Sequence, residues 1–185
     1  MPAASLVKYL YLSYVSSPRA ERSLYRSLRS SKVSTIVEVG IGDGRRAARM
    51  ISVAQRYSRL GAVRYTGIDL FEDRPAGTAG PTLKHVHKLL SASGARVRLV
   101  PGDPFGAMAR AANELTGTDL VVISAGHDVD SLAKAWFYVP RLLHPQSLLV
   151  VEHVGADSKK DHHFESLSLD RIKHLAKLSS PRRAA

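Results

Sequence analysis

Glu38-Val39-Gly40-Ile41-Gly42-Asp43-Gly44-Arg45 closes a β-branched run that opens at Thr35-Ile36-Val37. Three glycines at alternate positions let the backbone turn tightly and let a ligand come close to it. The apolar periodicity that resumes after Arg45 makes this a strand, a tight turn and the free N–H groups of a helix start, which suit an anionic or polar ligand. A dinucleotide fingerprint wants glycine or alanine at position 45, where this chain has arginine. The spacing is acid-x-Gly-x-Gly-x-Gly instead. A ligand-free turn remains the structural alternative.

Outward from this turn, short β-branched runs alternate with helical stretches, the pattern of a parallel sheet wound with helices. The runs predict strands over 35–40, 63–69, 96–100, 119–124 and 147–153, with helices over 44–58, 81–92, 104–116 and 130–139 and a last one over 168–178. The expected fold is a doubly wound, mostly parallel, five-stranded Rossmann-like α/β sheet, with ligands at the carboxyl ends of its strands. The domain is expected over 34–178, after an N-terminal helical, basic extension (1–33) and before a disordered basic tail (179–185).

The turn resembles motif I of the class I S-adenosylmethionine (SAM) methyltransferases. The resemblance implies SAM as cofactor, cradled by Gly40, Gly42 and Gly44, with Glu38 holding the methionine amino group. Twenty-seven residues past Gly42, the second strand ends in Asp69-Leu70-Phe71. An ionised carboxylate there can accept from both hydroxyls of a ribose, and in the family Leu70 and Phe71 would flank the adenine. Asp103, after the third strand, would bond the adenine amino group beside Phe105, and it is equally a helix N-cap. The family adds a sixth and a seventh, antiparallel strand. The residues after Val154 read as loop, helix and tail, with a two-residue β signal at His163-Phe164, so the sheet is expected to be shortened.

The fourth strand leads to Ser124-Ala125-Gly126-His127, which lacks both the metal-binding aspartate of some O-methyltransferases and the Asn/Asp-Pro-Pro-aromatic motif of amino-methylating enzymes. His127 is the candidate general base, since its ordinary pKa of about 6.5 suits proton removal near neutrality. Glu152, at the end of the fifth strand, is the second catalytic candidate. No metal is expected: His85-x-His87 and His162-His163 lack further ligands at a recognised spacing.

The chain has no cysteine, which excludes disulfides and thiolate sites and fits a cytoplasmic protein. Its apolar runs are too short to span a membrane. The net charge of +11 concentrates at the two ends. Arg19, Arg22, Arg26 and Arg29 form one helical stripe, which favours an anionic partner such as nucleic acid. Tyr9, Tyr11 and Tyr14 on the preceding helix are read as lid, core or dimer contact. The expected function is methyl transfer from SAM to an oxygen or nitrogen of a small molecule or RNA, the chain acting alone or as a homodimer. The alternative is a non-catalytic scaffold that binds SAM or nucleic acid; an NAD-dependent oxidoreductase is disfavoured by Arg45.

Overall fold

A computed structural model describes residues 3–155, apart from 60, 76 and 79, and residues 162–179. Its centre is β1 (Thr35–Val39), whose five residues are all buried. A strand covered on both faces has no solvent side on which to place polar residues, which is why four of its five residues are β-branched and the fifth, Glu38, is held by buried partners. Beside it lie β2 (Arg64–Asp69) and β4 (Thr118–Ile123); β3 (Arg96–Pro101) flanks β2, and β5 (Leu143–Val154) flanks β4. With β6 (His162–Ser166) beyond β5, the order is β3-β2-β1-β4-β5-β6, so the chain reverses direction across the sheet between β1 and β4. At such a switch point the loops diverge and leave a crevice.

Five strands were expected; among the described residues there are six. β6 (His162–Ser166) runs antiparallel to β5, with Glu152 opposite Phe164 and His153 opposite His163. The sequence signal was weak because histidine and glutamate alternate with its single phenylalanine. Its neighbour, and not its own apolarity, makes it a strand. An antiparallel strand after β5 is therefore present, which corrects the expectation of a sheet ending at five strands.

Helices cover both faces. α3 (Arg45–Tyr57) and α4 (Leu83–Ser91) pack on one core, and α5 (Pro104–Ala111), α6 (Val129–Ala135), α7 (Val139–Leu142) and α8 (Leu169–Leu178) on the other. The helix expected over 130–139 is two, separated by a turn at 136–138. The N-terminal segment joins the first core: α1 (Leu6–Tyr14) and α2 (Arg22–Ser30) bury Tyr9, Leu12, Leu24, Tyr25 and Leu28. Tyr9 is thus core, edge-on to Tyr57 at 5.1 Å. Leu6, Val7, Leu10, Tyr11, Tyr14 and Val15 face outward.

The arginine stripe of α2 is partly spent inside the fold. Arg22 donates to the carbonyls of Val15 and Ser16, and Arg26 to that of Ser13. These satisfy carbonyls at the end of α1 that have no helical partner. Arg29 lies over the rings of Tyr9 and Tyr57. Of the expected basic tail only Ser179 is described, as the cap of α8; 180–185 lie outside the described residues. No described helix is long and apolar enough to cross a membrane.

At the opposite end of the sheet from the crevice, Asp119 accepts from the amides of Ser34 and Thr35, the Thr35 hydroxyl and His144 Nε2. Burial pushes its carboxyl up, but these donors outweigh it and hold the pKa below the ordinary value. Asp119→Ala should therefore cost about 2 kcal/mol by orphaning charge-assisted donors. A lowered folded pKa stabilises above the unfolded value of about 3.9 and is lost as pH falls through the folded value. The deficit in Tm should accordingly shrink in acid; one that is constant with pH would contradict this role.

Candidate active site

The crevice at the carboxyl ends of β1, β2 and β4 has a volume of about 470 Å³, within the range of roughly 300–1,000 Å³ common for small-ligand sites. Gly40, Ile41 and Gly42 form its floor, Asp69 and Leu70 one end, and Ser124–His127 with Glu152 the other. Gly42 has φ +60°, and nothing lies within 4 Å of where its Cβ would stand. Gly40 is tight instead: a Cβ there would meet the His127 ring and Ser124. The floor is held down by Ile41, whose side chain fills the space left by Gly67 of β2.

Asp69 is tied to that floor. Its Oδ2 accepts from the amides of Ile41 (2.8 Å) and Gly42 (3.3 Å), and its Oδ1 from the amide of Phe71 and from Arg74. The carboxylate therefore shapes the glycine turn as well as facing the crevice. It is not the fold-neutral position that a ribose-only role implies. A ribose hydroxyl would reach Oδ1 in place of Arg74.

Glu38 is fully buried below the floor and does not line the crevice. It accepts from Arg46 Nε at 2.7 Å and from the Tyr65 hydroxyl. Arg46 does line the crevice. Its Nη1 donates to Glu152 (3.1 Å), and its Nη2 to the Gly40 carbonyl (3.0 Å) and the Ser124 hydroxyl. Phe164 of β6 stacks against the guanidinium at 5.6 Å. Burial works against this charge, but Glu38 and Glu152 outweigh it and hold Arg46 protonated. Burial also pushes the Glu38 carboxyl up, with Arg46 pulling against it.

The other sequence candidates divide. Gly44 caps α3 at φ +79°, backed by Leu89 and Val86. Phe71 is buried in the core. Asp103 is the N-cap of α5, accepting from the amides of Phe105 and Gly106 and from the Ser131 hydroxyl. Phe105 is exposed beside Tyr138, and neither it nor Asp103 lines the crevice, whereas their neighbours Gly102 and Pro104 do. His127 Nε2 lies 3.1 Å from the Val39 carbonyl. A carbonyl only accepts, so Nε2 carries the hydrogen and Nδ1 the lone pair.

Glu152 accepts from Arg46, His162 Nε2 and the Ala125 amide. Burial pushes its carboxyl up, but Arg46 and these hydrogen bonds hold it below the ordinary carboxylate range. His163 stacks on His153 at 5.2 Å. Among the described residues no three side chains are grouped so as to hold a metal ion. Sequence reasoning missed Arg46, Arg74 and the elbow Ser17, Pro18 and Glu21, which together with Arg49 also line the crevice.

The fold that carries this crevice is similar to that of solved methyltransferases. One is a putative caffeoyl-CoA O-methyltransferase from Staphylococcus aureus, 15% identical, covering 95% of this chain and 79% of its own, TM-score 0.57. Another is the O-methyltransferase TomG from Streptomyces achromogenes, solved with SAM, 14% identical, covering 94% and 74%, TM-score 0.54. The fold is that of the class I SAM-dependent methyltransferases.

Within this methyltransferase fold the similarity is structural: no family model matches the sequence, and no curated protein does. A 23% identical match, the MycE methyltransferase of mycinamycin biosynthesis, covers 84% of this chain with a TM-score of 0.48, and the chain spans 36% of its length. As a site for SAM, the crevice fits in volume, in the open space above Gly42 and in the acid at Asp69. The place beside Glu38, where the resemblance would seat the methionine ammonium, is filled by Arg46.

Proposed function

We propose that this chain transfers a methyl group from SAM to an oxygen or nitrogen of a small molecule. The observation that carries the reading is the open turn at Gly42 with Asp69 fixed beneath it, at the switch point of a methyltransferase sheet. Bound there, SAM supplies an electrophilic sulfonium methyl. Gly40 and Gly42 would admit it against the backbone, Asp69 would take its ribose hydroxyls as Arg74 yields, and Leu70 would lie beside the adenine. Holding donor and acceptor in line supplies much of the rate in such a transfer.

The acceptor has its own space. A second cavity of about 610 Å³ shares the wall Ser124–His127 and Glu152 with the first, and is otherwise lined by Leu132, Trp136, Val151 and Leu175 among others. This apolar lining supports a small organic acceptor. TomG, named for tomaymycin synthesis, supports the same class. RNA is less well served, because Arg22 and Arg26 are spent on the carbonyls of α1.

His127 stands in the shared wall and takes the acceptor's proton through Nδ1, while Glu152, already serving three donors, orients Arg46 and the amide of Ala125. Self-association into a homodimer is assigned to the outward apolar face of α1. Incubation with methyl-labelled SAM and a panel of phenols, catechols and amines, read by mass spectrometry, should show one acceptor gaining a methyl group with equimolar S-adenosylhomocysteine. Tight SAM binding with no transfer to any acceptor, RNA included, would favour the non-catalytic scaffold.

A further inference from the structure

Among the described residues, the crevice keeps a carboxylate beside a guanidinium with unused edges at two places: Asp43 with Arg45, both largely exposed at its rim, and the better-buried Glu21 with Arg49. Glu38 is sealed beneath Arg46, Glu152 serves three donors, and Asp69 serves the turn and Arg74. On the wall formed by the elbow before α2, Glu21 accepts at Oε2 from the Tyr25 hydroxyl (2.6 Å) and from Arg49 Nη1 (3.3 Å). Its Oε1 has no hydrogen bond among the described residues. Arg49 spends Nη1 on Glu21 and on the Ser17 carbonyl (3.1 Å) and also interacts with the Tyr25 hydroxyl, while its Nε and Nη2 come within normal hydrogen-bond distance of no other described residue. Both side chains line the same crevice as Gly42.

A carboxylate and a guanidinium side by side, each with an unused edge, complement the ammonium and carboxylate of an α-amino acid. Meanwhile the acceptors that would otherwise surround an ammonium, namely Glu38, Glu152, the Gly40 carbonyl and the Ser124 hydroxyl, all converge on the single guanidinium of Arg46. A second cation brought there would have to displace a buried one, which leaves two carboxylates to be re-satisfied.

We propose that Glu21 and Arg49 form the subsite for the zwitterionic amino-acid end of the bound nucleoside, with Arg46 standing permanently where that end would otherwise sit. This rests on the reading of the crevice as a SAM site, and it moves one half of the ligand from the sheet to the N-terminal elbow.

The test compares S-adenosylhomocysteine with 5′-methylthioadenosine, which shares its adenosyl thioether and lacks the amino-acid group. Each is titrated by calorimetry into the full chain and into Glu21→Gln and Arg49→Met. Each variant should weaken S-adenosylhomocysteine by about 10- to 100-fold, the loss of one charge-assisted contact, and leave methylthioadenosine within about twofold. Glu21→Gln keeps the shape of the side chain and an acceptor for Tyr25, so retained methylthioadenosine binding also reports an intact crevice. Unchanged S-adenosylhomocysteine affinity, or an equal loss for both ligands, overturns the subsite and leaves the SAM reading standing. Failure of both ligands to bind the unmodified chain overturns the SAM reading and the subsite together.

Discussion

Arg46→Met should lower stability by about 3–5 kcal/mol, because it strips the cation from a fully buried carboxylate. For a chain of this length that is a fall of roughly 10 °C or more in Tm. The methionine keeps the volume of the side chain, so the loss reports charge and hydrogen bonding more than packing. Without Arg46, Glu38 retains the Tyr65 hydroxyl as its remaining polar partner. The folded state then tolerates the protonated acid far better than the anion. A carboxyl whose folded pKa is raised stabilises at low pH and loses that contribution as pH rises from the unfolded value of about 4.3 through the folded one.

The deficit should therefore be largest near neutrality and smaller in acid. The double variant Glu38→Leu with Arg46→Met should recover most of it, since a buried pair exchanged for apolar side chains of similar volume is often neutral. Thermal unfolding of the two variants across pH checks both statements. A single variant as stable as the parent would mean that Glu38 reaches water after all.

Gly42→Val should abolish SAM binding, a loss of at least about 100-fold, through a side chain placed where the ligand lies and not through a clash with the protein. No protein atom lies within 4 Å of the new Cβ, so the fold bears only the cost of a β-branched residue at φ +60°, about 1–3 kcal/mol. Gly61 supplies the matched control: φ +66° and equally open space, outside the crevice lining. Gly61→Val should pay a similar backbone cost and bind SAM as the parent does. Equal binding by the two variants would remove Gly42 from the site.

The sheet was legible because β1 and β4 are largely sealed on both faces, and such strands betray themselves as runs rich in Val, Ile and Leu rather than as alternation. β6 was not, since a strand at the sheet edge is set by the partner offering its ladder, here β5, and needs little apolarity of its own. In the site, Gly40, Gly42, Asp69 and Leu70 line the crevice because turn chemistry and strand ends are local properties. Asp103 was legible as a cap for the same reason.

Arg46 was invisible for the opposite reason. Its partners Glu38, Ser124 and Glu152 come from β1, from the loop after β4 and from β5, and nothing in Arg45-Arg46 tells which arginine turns inward. Helical geometry separates them only once the core is placed: the Arg45 side chain is 80% exposed and pairs with Asp43, whereas that of Arg46 is 11% exposed. Glu21 and Arg49 likewise meet only because the elbow before α2 folds over α3. Long-range ion pairs have no spacing rule, and Arg46, Glu21 and Arg49 all line the crevice.

Whether the crevice over Gly42 is a SAM site is tested most simply by calorimetric titration of the purified protein with SAM, with NAD in parallel. Saturable binding of SAM at micromolar concentration and none of NAD is the predicted result. Binding of NAD, or of neither ligand, would contradict it.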